Sequence, residues 1–99
     1  MRVVRHSKLE EDILQAFRYL NQQESDLGEY FIAELEETIH SIERNPLIWS
    51  MVYRDVRRIR LRRFKAYSIR YRVLENEGVI QILSVIHGAR HPNQGKDRR

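Results

Sequence analysis

The sequence predicts an α+β fold: an antiparallel-rich sheet with an N-terminal strand, a two-helix hairpin packed on one face, and a three-strand C-terminal meander. Three observations predict it. Apolar residues in the first half recur every three or four positions, the period of a helix face. From Val56 onward they alternate every second position, the period of a strand. Ninety-nine residues, 41% of them apolar, suit one domain with one core. Residues 1–91 are read as that domain. Residues 92–99, with no apolar side chain beyond Pro92, are read as a mobile basic tail.

Val3 and Val4 belong to a short extended start. Ser7 and Glu10 then have the spacing of a capping box, in which hydroxyl and carboxylate satisfy orphan backbone donors. Leu9, Ile13, Ala16, Phe17 and Leu20 form one stripe on a helix ending near Gln23. Asp26 and Glu29 repeat the capping spacing ahead of a second helix, whose stripe is Leu27, Phe31, Leu35, Ile39 and Ile42. It stops near Asn45 because Pro46 restricts its predecessor and cannot continue the ladder. The short link makes the two helices an antiparallel hairpin. Glu29, Glu34, Glu36, Glu37 and Glu43 are expected on its acidic exposed surface.

Residues 46–55 read as a connection, unusually apolar through Leu47, Ile48, Trp49, Met51 and Val52. Either this loop packs over an edge of the core, or Trp49 and its neighbours form a partner-binding surface. Ile59 and Leu61 then alternate with Arg58, Arg60 and Arg62 in one strand, and Tyr67, Ile69, Tyr71 and Val73 with Ser68, Arg70 and Arg72 in the next. Residues 76–78 supply a turn, and the nearly unbroken apolar run 79–86 marks a central strand. The first strand is expected in the same sheet, with no local pattern to name its neighbour.

The charge is divided between the halves. Residues 1–50 carry five Lys/Arg against ten Asp/Glu, a net −5, and residues 51–99 carry thirteen against four, a net +9. Such polarity steers an anionic partner, nucleic acid or acidic protein, toward one side. The absence of cysteine excludes disulfides and thiolate ligation and fits the cytoplasm. No membrane span or secretion signal is evident, so no membrane partner is expected. No cofactor is expected, and no metal site either, since His87 and His91 have no third ligand near them in sequence.

Arg57, Arg58, Arg60, Arg62, Arg63, Lys65, Arg70 and Arg72 fall within sixteen residues, on strands expected to pair. Guanidinium forks match phosphate or carboxylate, and several on one face form a polyanion footprint. The blander reading is a solvated strand face whose charges guard an edge. Tyr67 and Tyr71 share the parity of Ile69 and Val73 and are read as core aromatics. His87, Arg90 and His91 close the last strand: an imidazole exchanges protons near neutrality, and an arginine stabilises phosphoryl charge. The competing reading makes His87 a turn or core residue. Gly88 is read as the point where the chain leaves the strand.

Strand, helical hairpin and arginine-rich meander in this order resemble the RelE/ParE superfamily of bacterial toxins from type II toxin–antitoxin systems. The resemblance spans residues 3–92 and rests on Arg57-Arg58-Ile59-Arg60-Leu61-Arg62-Arg63-Phe64, on Tyr67-Ser68-Ile69-Arg70-Tyr71-Arg72-Val73, and on residues 79–87 followed by Gly88-Ala89-Arg90. Asn45-Pro46 also matches the place where such toxins carry a proline. The ending His87-Gly88-Ala89-Arg90 is closer to the ParE branch, whose members poison DNA gyrase without an established catalytic constellation.

The resemblance implies a toxin acting on gyrase or a related DNA-processing target and neutralised by a cognate antitoxin in a hetero-oligomer. Target contact is expected at Arg58, Arg60, Arg62, Arg63, Arg70, Arg72 and Arg90, and antitoxin contact at Trp49, Met51, Tyr53, Arg60 and Arg62. The alternative is a RelE-type endonuclease cleaving mRNA on the ribosome. Its catalytic set would be His87, Arg90, His91 and Arg70, although no tyrosine follows Tyr71 where many RelE-like members carry one. A third possibility is a non-toxic nucleic-acid-binding module.

Overall fold

The computed structural model describes residues 1–89 and residue 98. Strand β1 (Arg2–Arg5) leads into helices α1 (Leu9–Gln23) and α2 (Leu27–Arg44), followed by β2 (Met51–Tyr53), β3 (Val56–Arg60), β4 (Tyr67–Leu74) and β5 (Val79–His87). The five strands form one sheet in the order β1-β5-β4-β3-β2. All neighbours are antiparallel except β1 and β5, which run parallel with Arg2 opposite Val79 and Arg5 opposite Ile82. The run 79–87 is thus an interior strand, paired on both edges, as its apolar content predicts. One strand was not foreseen: the apolar connection contains β2, so the meander has four strands rather than three. Three residues are too few to show an alternation.

Both apolar helix stripes point into one core. Leu9, Ile13, Ala16 and Leu20 of α1 and Phe31, Leu35, Ile39 and Ile42 of α2 pack against Tyr67, Ile69, Tyr71, Ile80, Ile82 and Val85 of the sheet. Phe31 lies at its centre, fully buried, 5.4 Å from the Phe64 ring and 5.0 Å from Tyr67. Tyr71 is also fully buried, and its hydroxyl donates to the Pro46 carbonyl at 2.6 Å. Burial raises the pKa of that phenol, with Arg57 opposing. Among the described residues no helix is long and apolar enough to cross a membrane.

The helix starts differ from the capping boxes that the sequence predicts. Neither Ser7 nor Asp26 makes a side-chain cap. At α1 the His6 ring takes over: its Nδ1 accepts the Lys8 N–H at 3.1 Å, its carbonyl accepts the Leu9 N–H, and Glu10 turns to Arg5 instead. At α2, Asn21 reaches across from α1 to accept the Gly28 N–H at 2.7 Å. Asp26 adopts a left-handed conformation (φ 70°) that gives the chain its tight reversal.

Glu34 also departs from expectation. It is buried rather than part of the acidic surface, and its carboxylate accepts the backbone N–H of Arg62 at 2.6 Å and of Arg63 at 3.1 Å. The segment after β3 is therefore a turn tied to α2, which is why the strand ends at Arg60 although Leu61 remains buried in the core. Gly88 stands just past the end of β5, and its N–H makes a last bond to the Ala66 carbonyl at 2.9 Å.

Candidate functional site

Strand alternation sorts the basic residues onto two sides of the sheet. Ile59, Ile69 and Val85 form one cross-strand row beneath the helices. The neighbouring row, Arg58, Arg70 and Ser84, therefore points to the helix-free face. Arg60 and Ser68 pair next to it, and Arg72 pairs with Gln81 on the same parity. Val79, Leu83, Ser84 and Ile86 on the β5 side of this face are buried, so its accessible part lies over β3 and β4. There Arg58 and Arg60 are exposed, and Arg70 and Arg72 are half-buried.

These four arginines are not equivalent. Arg72 donates from Nε to Gln81 Oε1 at 2.8 Å and lies 3.7 Å from the Asp55 carboxylate, so it is held within the sheet. Arg70 has its pKa lowered, first by burial and then by the facing Arg58. The side chains of Arg58 and Arg60 make no hydrogen bond or ion pair among the described residues.

Arg57, Arg62 and Arg63 are not part of this face. Arg57 has core-side parity and donates to the carbonyls of Leu47 at 3.1 Å and Trp49 at 2.7 Å, pinning the apolar connection to the sheet. Arg62 and Arg63 lie in the turn after β3, the second with Nε 3.8 Å from Glu34. The two side chains border a groove of about 280 Å³ between α2 and the end of β3, lined also by Glu37, Trp49, Ile59 and Arg60.

The groove gathers three residues expected to contact an antitoxin: Trp49, Arg60 and Arg62. Trp49 is half-buried against the core, in keeping with a connection that packs over its edge. Met51 and Tyr53 stand on the adjoining edge strand β2, Met51 at 55% exposure and Tyr53 with the Arg54 guanidinium 5.3 Å from its ring centre. Leu47, Ile48 and Val52 add exposed apolar surface there. The sequence shows the apolar content of this stretch but not the groove, whose wall includes the β3–β4 turn that Glu34 ties to α2.

His87 is separated from Arg70. The β4–β5 ladder pairs Arg70 with Ser84 but Tyr71 with Ile82, leaving Leu83 as an unpaired bulge residue. Ile80 and Ile82 face the helices, and strict alternation would continue with residues 84 and 86. The bulge shifts the parity by one, so Val85 and His87 face the helices instead. The His87 ring lies edge-on to Tyr67 at 5.0 Å and to Tyr19 at 6.5 Å, under α1. Arg90 and His91 lie outside the described residues, as does the expected mobile tail apart from Arg98. Arg98 packs against α1 and β5, where its guanidinium meets the Asp12 carboxylate and the Leu83 carbonyl.

Two comparisons bear on this arrangement. A search of curated proteins returned no match. The family model for the ParE toxin of the type II toxin–antitoxin system, parDE, matches residues 3–92. That span takes in the helical hairpin, all five strands and both surfaces described above. The chain belongs to the ParE toxin family of type II toxin–antitoxin systems.

Proposed function

We propose that this toxin arrests growth by inhibiting DNA gyrase or a related DNA-processing target through its arginine face, without catalysis by its own side chains. The observation that carries the reading is the division of the candidate residues across the sheet. Arg58, Arg60 and Arg70 stand on one face while His87 stacks with Tyr67 and Tyr19 on the other. A general acid or base must come within hydrogen-bond reach of the proton it moves, beside the group that stabilises the phosphate. An imidazole under the helices does not share a substrate with guanidiniums across the sheet. This favours a binding toxin over a ribosome-dependent endonuclease.

The partner that goes with this reading is a cognate antitoxin, held at the groove and the β2 edge. Trp49, Met51 and Tyr53 offer apolar anchors there, and Arg60 and Arg62 offer charge to an acidic segment. Complex formation neutralises the toxin in a hetero-oligomer. Gyrase works in the cytoplasm, so the toxin acts there.

Supercoiling by purified gyrase is the direct test. The wild-type toxin and His87→Ala are expected to inhibit equally, and Arg58→Ala/Arg60→Ala to inhibit less. Normal supercoiling at saturating toxin, together with cleavage of a reporter mRNA on translating ribosomes, would replace this reading with the endonuclease.

A further inference from the structure

The accessible part of the helix-free face differs in kind from the groove. Over β3 and β4 it presents Arg58, Arg60, Ser68, Arg70 and Arg72, and its apolar members there, Val56 and Leu74, are buried and half-buried. Protein interfaces draw most of their affinity from aromatic and aliphatic anchors. Exposed apolar residues lie elsewhere: Leu47, Ile48, Met51 and Val52 on and before the edge strand β2, and Val4, Leu14 and Tyr30 on β1 and the two helices.

The placement of charge is equally telling. Arg58 and Arg70 are directly opposite each other in the ladder, an arrangement of like charges that costs stability. Some arginines of the fold have acceptors, whereas the side chains of Arg2, Arg18, Arg54 and Arg62 make no hydrogen bond or ion pair among the described residues. Arg5 has Glu10 and Glu36, Arg57 has two carbonyls, Arg72 has Asp55 and Gln81, and Arg98 has Asp12. Arg58 and Arg60 are left without an acceptor among the described residues, although residues 1–50 alone carry ten carboxylates. Guanidiniums held ready in a row suit the regularly spaced phosphates of a nucleic acid.

The absence of stacking surface narrows the ligand. Sites for single strands pair a basic track with aromatic platforms on which bases stack. Here Tyr67 and Tyr71 are buried on the opposite side, and Tyr53 lies in the outermost strand with Arg54 over its ring. Among the described residues, unpaired bases would find no ring to stack on over β3 and β4, and only Tyr53 of β2, paired with Val56, adjoins that face. A duplex, with its bases already stacked inside, needs only backbone contacts.

We infer that Arg58 and Arg60 hold the phosphate backbone of a nucleic-acid duplex, so that the toxin touches nucleic acid itself, whatever protein it poisons. This goes beyond the toxin reading and does not depend on gyrase. Contacts of this kind carry no base preference and weaken steeply with salt.

Fluorescence anisotropy of the purified toxin alone tests it, using labelled duplex DNA of arbitrary sequence, duplex RNA, and single-stranded DNA of the same length. The duplexes are expected to bind more tightly than the single strand, and the DNA and RNA arms identify which duplex is preferred. With two phosphate contacts, affinity falls about 12-fold between ~50 and ~200 mM salt. Arg58→Ala/Arg60→Ala lowers the slope of log affinity against log salt by about two. Arg18→Ala/Arg44→Ala, which removes the same charge from the helical layer, leaves that slope unchanged. Circular dichroism and the urea unfolding midpoint report that the variants are folded. Equal or tighter binding of the single strand, equal effects of the two double variants, or no duplex binding at low salt would each overturn the inference.

Discussion

Arg98 and Asp12 form a buried ion pair that joins the end of the described chain to the first turns of α1. Arg98 Nη2 lies 3.0 Å from Asp12 Oδ1, and the two side chains are 13% and 1% exposed. The pair does more than neutralise charge. β1 stops pairing where the His6 N–H meets the Ile82 carbonyl, and β5 runs on with no strand on that edge among the described residues. Asp12 accepts the Val85 N–H at 3.1 Å, and Arg98 donates to the Leu83 carbonyl at 3.0 Å. Two side chains thus serve the edge that β1 leaves uncovered.

Removing Arg98 leaves a buried carboxylate with a lost partner. Breaking such a pair costs 3–5 kcal/mol when it is fully buried, but ordering the chain end offsets part of the gain, so Arg98→Ala is expected to cost about 2 kcal/mol. Urea unfolding measures it. Slower exchange of the Val85 amide in the variant than in the wild type would contradict the assignment.

Glu34 has a comparable role on the other side of the molecule. Hydrogen bonds to a charged group contribute roughly 1.5–3 kcal/mol each, and burial of the carboxylate offsets part of that. Glu34→Ala is expected to destabilise by about 3 kcal/mol, and Glu34→Gln by less because one acceptor oxygen remains. Antitoxin affinity should fall with Glu34→Ala, since the turn bearing Arg62 and Arg63 loses its tether. An unchanged unfolding midpoint in Glu34→Ala would sink the assignment.

Helix propensity and packing disagree at Gly28. Alanine gains about 1 kcal/mol over glycine in a helix interior. A Cβ at this position, however, would stand 2.7 Å from the Phe17 ring and 2.9 Å from the Phe17 carbonyl of α1. The backbone contact cannot move aside cheaply, so sterics win. Gly28→Ala is expected to lose about 1–3 kcal/mol by thermal or urea denaturation; a stabilised variant would show that the helices can separate.

His6 makes stability depend on pH. Its pKa is lowered, first by burial, then by Arg98 and Lys8, with Asp12 opposing. Its Nδ1 also accepts a hydrogen bond, which protonation would break. A histidine whose folded pKa lies below its unfolded value of 6.5 contributes stability that is fully present above pH 6.5 and lost as the pH falls through that value toward the folded pKa. The urea midpoint should therefore drop between about pH 7.5 and 5.5 in the wild type, and drop less in His6→Gln. Parallel pH profiles would refute the linkage.

Much of this fold was legible in the sequence because its main elements bury one face with a clean period. The stripes through Phe31 and Ile13 and the run 79–87 state their structure locally. The parallel partner of β1 did not show, because a pairing between residues 2–5 and 79–82 leaves no local pattern. Nor did the end of β3: Leu61 prolongs the alternation past the last strand residue, and only the distant Glu34 carboxylate turns the chain. For the candidate site, alternation placed Arg58, Arg60, Arg70 and Arg72 together on one face, as found. It could not place His87, because one extra residue at Leu83 reverses the parity of everything after it.

The parallel pairing of β1 with β5 also bears on when the toxin becomes a toxin. Among the described elements, β1 hydrogen-bonds to a strand that follows it by more than seventy residues. Closing so long a loop is entropically costly until the contacts it permits can form, and such non-local pairings come late in folding. A growing chain can form its helical hairpin early, but the sheet is incomplete until β5 has emerged. Protein synthesis therefore leaves an interval before the finished fold exists, and an antitoxin already present in the cell has that interval in which to meet it.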